Sequence, residues 1–326
     1  MTASREAARA DLTGAGLIVL AAVCFGTLGP LSRAAEAAGV DSLALVTWRA
    51  GLGAAVMALF IGVRLAARIA RPVPVRDMPR VDRWFMVAAA VANTILNFSV
   101  FVAFTRISIA LALLVFYLYP ALVAVVSVVW FGERLDRLRW AALGISLAGL
   151  VLVLAGTDGG IGQIDGLGIG LAFIGCLGQV FYVLAARHGF AHVPGPQAAA
   201  LTMSGAMTLY LLIAAATGSV AALAAPVASV QAFWPVLVAG VIGAGVPTVA
   251  YITGIRRLGP PRAAILAMLE PVVGVLLAAW LLAEQPTLVQ VVGGALILAA
   301  AVLLQMRPRG PISDHEAVAT QQKSGA

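Results

Sequence analysis

Ten apolar runs of roughly twenty residues follow one another along the chain with only short polar breaks between them, at about 14–34, 42–65, 84–105, 108–131, 139–156, 165–187, 197–218, 232–255, 260–283 and 288–306. Crossing the hydrocarbon of a bilayer takes about 20 residues of helix. Lipid offers no partner for backbone N–H and C=O groups, so such runs must close their hydrogen bonds within helices. The composition agrees: 62% of the 326 residues are hydrophobic and 11% charged, where a soluble domain carries about 25% charged residues. The short alternating segments of a transmembrane β-barrel are not seen. The expected fold is therefore an all-α polytopic membrane protein with ten transmembrane helices. The seventh run is diluted by Thr202, Ser204 and Thr208. Segment 219–231, with Pro226 and no charge, is expected to lie at the interface.

In a soluble protein a net charge of +7 and a pI of 10.2 would suggest nucleic acid. Here the arginines sit in the loops between apolar runs, where membrane topology places them, and no nucleic-acid partner is expected. With both termini in the cytoplasm, all but Arg33, Arg106 and Arg49 of the 21 basic residues fall on the inner side or in the tail. Lys323 is the only lysine, a bias toward arginine typical of GC-rich bacterial genomes, so the expected location is a bacterial inner membrane. Arginines precede the first run as in a signal peptide, but no small-residue cleavage site follows Gly29-Pro30, and the run is read as a retained helix. Cys24 and Cys176 both lie inside apolar runs and offer no disulfide framework.

Two of the runs are related. Leu114–Glu133 reads LVFYLYPALVAVVSVVWFGE and Ile265–Glu284 reads ILAMLEPVVGVLLAAWLLAE; Pro120 and Pro271, Glu133 and Glu284, and Arg106 and Arg257 each stand 151 residues apart. Cys24-Phe25-Gly26 and Cys176-Leu177-Gly178 form a further echo. The chain thus divides into two five-helix units, 12–156 and 165–306, followed by a cytoplasmic tail, 307–326, expected to be disordered. Five is odd, so the second unit enters the membrane from the opposite side. Inverted repeats of this kind belong to secondary transporters, whose site lies near the midplane between the halves.

These residues resemble the EamA-type transporters of the drug/metabolite transporter superfamily. The resemblance rests on Leu118-Tyr119-Pro120, Phe131-Gly132-Glu133-Arg134-Leu135, Gly144 and Gly149 in the first copy. In the second it rests on Leu269-Glu270-Pro271, Ala283-Glu284-Gln285, Gly293 and Gly294, with Ala283 departing from the usual glycine. It covers about residues 12–306 and implies a carrier of small metabolites such as amino acids, sugars, nucleotide-linked compounds or drugs, commonly outward and often with protons. It also implies an arginine kept in the second helix, here Arg49, in a structural or gating role.

Glu270 is the sharpest candidate. A charged carboxylate about halfway along a membrane helix costs roughly 2.5–3.5 kcal/mol even on a lenient scale, and intramembrane ionisable groups are functional by default. Pro271 removes a backbone donor beside it and releases carbonyls of the preceding turn. Glu270 is read as a proton acceptor or an anchor for a substrate amine. Asn93 and Asn97 share a face of the third helix, and Asn97 matches Thr248 of the eighth in the repeat, so the three are expected to line a substrate path. Tyr117, Tyr119, Gln179, Tyr182 and Tyr251 add polar tips; Tyr119 occupies the position that matches Glu270. Arg49, next to Trp48, is read as a structural anchor that snorkels or finds an acidic partner. Its expected depth differs from that of Glu270 by about six residues, or ~9 Å of helix rise. Pro120 and Pro271 shape the paired helices. Glu133 and Glu284, at helix ends, are expected to pair with nearby arginines and caps, and Asp136 and Thr287 to cap the helices that follow.

Other patterns carry no chemistry. His188 and His192 stand four apart, but Gly189 and Pro194 disrupt the helix and no carboxylate is expected at hand, so no metal site is expected. Gly159–Asp165 lacks an aspartate at the place a calcium nonapeptide requires. No Gly-Lys-Ser/Thr phosphate loop occurs, and the helices hold no midplane His or Asp, so neither a cofactor nor an enzymatic activity is expected. The expected function is alternating-access transport of a small-molecule substrate between membrane lipids, most simply export, with protons as a coupling ion. A lipid-headgroup flippase or a sugar- or nucleotide-type carrier on the same fold is the alternative.

Overall fold

The structure, a computed structural model, describes residues 2–69, 72–104, 106–156, 165–281 and 286–305. In chain order its helices are α1 (Thr2–Gly26), α2 (Leu28–Ala37), α3 (Ser42–Ala66), α4 (Arg80–Phe104), α5 (Ile109–Phe116), α6 (Tyr119–Phe131) and α7 (Arg137–Ala155). There follow α8 (Gly166–His188), α9 (Gly195–Ala216), α10 (Val230–Gly240), α11 (Val246–Leu258), α12 (Pro260–Ala267), α13 (Leu269–Leu281) and α14 (Leu288–Gln305). Among the described residues there is no strand. Among the described residues nine helical stretches are long and apolar enough to span a membrane, and the shorter Leu288–Leu304 supplies a tenth, five to each repeat. The segment with Pro226 is a 3-10 turn, Val220–Val227.

Four of the ten spans are not continuous α-helices, and proline explains where. α5 gives way to α6 at Tyr117–Leu118, ahead of Pro120, and α12 to α13 at Met268, ahead of Pro271. Proline has no N–H and its ring crowds the carbonyl four residues back, so it is accommodated by restarting the helix with proline in the first turn. The first span breaks in the same way at Thr27, three residues before Pro30, with the Thr27 hydroxyl donating to the Cys24 carbonyl at 2.7 Å. The eighth span carries a π turn, Val241–Gly245, just ahead of Pro247. Breaks at 117–118 and 268 agree with the expected role of the prolines. Those at Thr27 and Val241–Gly245 go beyond it.

Helix starts follow their polar residues. Asp41, Ser108, Asp136 and Ser229 each accept a hydrogen bond from the backbone N–H three residues on. Thr287 and Gln290 exchange bonds, Gln290 N to Thr287 Oγ1 at 3.3 Å and Thr287 N to Gln290 Oε1 at 2.9 Å, a capping box. The caps expected at Asp136 and Thr287 are thus both in place. α6 ends at Gly132, whose φ of 65° is left-handed and suits glycine, while Glu133 N bonds back to the Ser127 carbonyl at 3.0 Å. That geometry is why a glycine precedes Glu133. α7 and α14 meet at Gly149 and Gly293, so closely that a Cβ on Gly149 would lie 2.6 Å from the Gly293 carbonyl oxygen. In lipid, where no hydrophobic drive pushes helices together, small residues permit such close backbone packing.

One end of the bundle is tied by polar contacts. Arg256, at the end of α11, donates to the carbonyls of Ala186 (3.1 Å), Phe190 (2.7 Å) and Val193 (2.7 Å), and Arg187 donates to the Arg256 carbonyl. Arg262, 3% exposed, pairs with Asp11 at 2.9 Å. Gln197 bonds both the N–H (2.9 Å) and the carbonyl (2.5 Å) of Val73. The histidines join here as well, which corrects the expectation that no carboxylate is at hand. His192 meets Asp82 of α4 at 3.2 Å and His188 meets Glu133, past the end of α6, at 3.9 Å. His188 also stacks on Phe131, with centroids 4.0 Å apart. At the other end, Arg106 pairs with Asp165 at 2.5 Å.

Candidate functional site

The helix breaks gather around one cavity. Gly26, at the end of α1, sits against α13; a Cβ there would lie 3.0 Å from the Glu270 carbonyl oxygen and 2.9 Å from Val273. This close contact brings the broken first span against the broken ninth. The cavity between the halves has a volume of about 140 Å³, against the ~30 Å³ that one water takes in the liquid, so several waters fit.

Eight of the nine proposed binding residues line it: Glu270, Asn97, Thr248, Asn93, Tyr119, Gln179, Tyr182 and Tyr251. The ninth, Tyr117, is buried and does not line the cavity, but it interacts electrostatically with Glu270. Asn97 and Thr248, a matching pair in the repeat, come from α4 and α11 and meet in this cavity, as do Tyr119 and Glu270. Around Glu270 the wall is aromatic. Phe116 packs on Tyr117 and Tyr119 with centroids 5.2 and 5.5 Å apart, and Phe25 meets Tyr251 edge-on at 6.1 Å. Gln179 Nε2 donates to the Tyr251 hydroxyl at 3.3 Å, and Tyr119 and Tyr251 both line the cavity. A carboxylate framed by ring faces and phenols suits a cation, which gains from both the charge and the π surface.

Arg49 also lines the cavity, a place beyond its expected role as an anchor. Its Nη2 donates to Asn97 Oδ1 at 2.5 Å, and Asn97 Nδ2 in turn donates to the Asn93 carbonyl at 2.7 Å. No carboxylate of the described residues stands at ion-pair distance from it. Trp48 points elsewhere: its indole N–H donates to the Leu223 carbonyl at 2.8 Å, and it meets Phe233 edge-on at 6.3 Å. Pro120 and Pro271 shape the breaks and do not line the cavity. Glu133 lies at the tied end, and Glu284 falls outside the described residues.

Thr202 and Tyr210 line the cavity too and are absent from the expected set. Both belong to α9, the seventh span, which Thr202, Ser204 and Thr208 dilute. They stand eight residues apart, two turns along one face, and that spacing was the available signal. Among the described residues no group of three metal-ligating side chains occurs.

A model of the EamA-like transporter family matches residues 12–155 and 166–306, nearly the whole described chain and in two copies. The chain belongs to the EamA-like transporter family. An uncharacterized transporter of Archaeoglobus fulgidus is 29% identical over 297 residues, covering 89% of this chain and 95% of that protein. An uncharacterized transporter of Bacillus subtilis, YxxF, is 25% identical over 213 residues, covering 64% of this chain and 66% of its own. A crystal structure of a protein 24% identical in sequence superposes with a TM-score of 0.74, over 92% of this chain and 98% of that one, and so shares the fold. The protein is a multi-pass membrane transporter of EamA type.

Proposed function

We propose that this transporter moves a small polar metabolite, an amino acid or related compound in the first instance, across a bacterial inner membrane by alternating access, outward and coupled to protons. The observation that carries the reading is the convergence of Glu270 with the amides, phenols and Thr248 of both repeats on one cavity between the halves. A carboxylate kept in a membrane interior has a purpose by default; here it can hold a proton or a substrate amine. A cavity of about 140 Å³ favours a small solute over a nucleotide-linked compound or a lipid headgroup with its chains. The arginine-rich loops support a cytoplasmic placement of both termini. The tied end, with Arg256, Arg262 and Asp11, then faces the cytoplasm and is the side that must loosen for solute to enter from within. Profiling metabolites outside cells that overproduce the protein tests this. Wild type should enrich one chemical class, and Glu270→Gln, at equal membrane abundance, should not. Equal enrichment by the two proteins would remove the carboxylate from the mechanism.

A further inference from the structure

Arg49 brings a permanent positive charge to the cavity wall, and its surroundings answer only part of it. A guanidinium offers five N–H donors and keeps its proton; the described residues supply one acceptor, Asn97 Oδ1 at 2.5 Å. Charges taken out of water are ordinarily paired or fully hydrogen-bonded. Glu270 shares the cavity and interacts electrostatically with Arg49, but not at ion-pair distance. Tyr210 lines the same cavity, packed with Val46 and Ala50, which belong to the same stretch of α3 as Arg49. It is 1% exposed, and its hydroxyl has no hydrogen-bond partner among the described residues, an unusual state for a buried polar atom. An underused cation and an unpartnered hydroxyl therefore stand at one wall of the cavity.

We propose that Arg49 and Tyr210 form an oxyanion subsite that receives a carboxylate of the transported solute, with Asn97 as the positioning residue for Arg49. The planar guanidinium fork matches the two oxygens of a carboxylate, and the Tyr210 hydroxyl donates a further bond. Asn97 is itself oriented: its Nδ2 donates to the Asn93 carbonyl at 2.7 Å, which leaves its Oδ1 facing Arg49. Held so, the guanidinium is fixed before the solute arrives, and fewer contacts need ordering on binding. Glu270 and its aromatic frame, on the same cavity, complement an amine. The solute class is then small molecules that carry a carboxylate, held best when an amine is also present. This inference rests on the reading of the cavity as the transport site.

The test uses the purified full-length protein in detergent and three probes of one skeleton, with binding measured by calorimetry: leucine, 4-methylpentanoate (no amine) and 3-methylbutan-1-amine (no carboxylate). Tyr210→Phe removes one oxygen and keeps the ring, and its melting temperature checks the fold. It should weaken leucine and 4-methylpentanoate about tenfold, the scale of one charge-assisted hydrogen bond, while 3-methylbutan-1-amine stays within twofold. Arg49→Gln should abolish binding of 4-methylpentanoate, and Glu270→Gln should weaken only the two amine-bearing probes. The inference is overturned if Tyr210→Phe weakens all three probes alike, if it weakens neither carboxylate, or if wild type binds neither carboxylate. Flux separates the two claims. A protein that binds the carboxylates through Tyr210 yet transports nothing sinks the transport reading alone, and one that transports with carboxylate preference unmoved by Tyr210→Phe sinks the subsite alone.

Discussion

Arg256→Ala removes the side chain that joins the end of α11 to the end of α8. Three carbonyls lose a charged donor at once, at 2.7, 2.7 and 3.1 Å. A typical net hydrogen bond is worth about 0.5–1.5 kcal/mol, and Arg256 is half-buried, so the freed carbonyls partly rehydrate. About 2 kcal/mol for the set is a working figure, and it falls on the conformation in which this end is closed. If transport requires the end to open, the variant shifts the closed-to-open ratio by about 30-fold toward open. The assay is thiol labelling of Thr202→Cys in the cavity, in protein whose buried Cys24 and Cys176 have been replaced by alanine. Labelling from the side of the tied end should accelerate by one to two orders of magnitude when Arg256→Ala is added, and labelling from the opposite side should slow. Unchanged rates from both sides, in a variant that remains folded and inserted, would show that this cluster is not a gate and would refute the reasoning.

Two further outcomes follow from local geometry. Gly149→Ala drives a methyl group into the Gly293 carbonyl and should lower the melting temperature, at the roughly 1–3 kcal/mol typical of overpacking. Gly144→Ala on the same helix meets nothing within 4 Å and should be neutral or slightly stabilising; a Gly149→Ala protein as stable as Gly144→Ala would contradict the close crossing. At the other end, hydrogen bonding to Arg106 holds the Asp165 carboxyl below the usual carboxylate range, helped by the N–H groups of Leu167 and Gly168. A depressed folded pKa stabilises above the unfolded value and loses that contribution as pH falls through the folded one. The stability difference between wild type and Asp165→Asn should therefore be flat from neutral pH down to the ordinary carboxylate range and shrink only below it, as thermal melts across pH would read.

Much of this architecture was legible in the sequence because the membrane leaves few alternatives. The apolar runs lie within a few residues of the helices, and Pro120 and Pro271 announced two of the breaks. The break at Thr27 is equally legible, since Pro30 stands three residues beyond it as Pro271 does beyond Met268. The π turn before Pro247 was less accessible, because a proline alone does not say whether a helix restarts or widens. At the site, the 151-residue offset paired Asn97 with Thr248 and Tyr119 with Glu270, and all four line one cavity. Contacts between spans were not legible. Asn97 as the partner of Arg49, and Asp82 and Glu133 as the partners of His192 and His188, arise from tertiary packing that no spacing along one helix encodes. For Thr202 and Tyr210, polar groups on an otherwise apolar span are the signal in the sequence.

The central claim is that Glu270, brought to the cavity by the break at Met268, takes part in transport. Its most direct test is solute flux in proteoliposomes carrying wild type or Glu270→Gln at equal density, with and without an imposed pH gradient, using a solute enriched outside overproducing cells. Wild-type flux should respond to the gradient, and the variant should lose gradient-driven flux while keeping its fold and orientation. A variant that transports at the wild-type rate with the same response to the gradient would contradict the account.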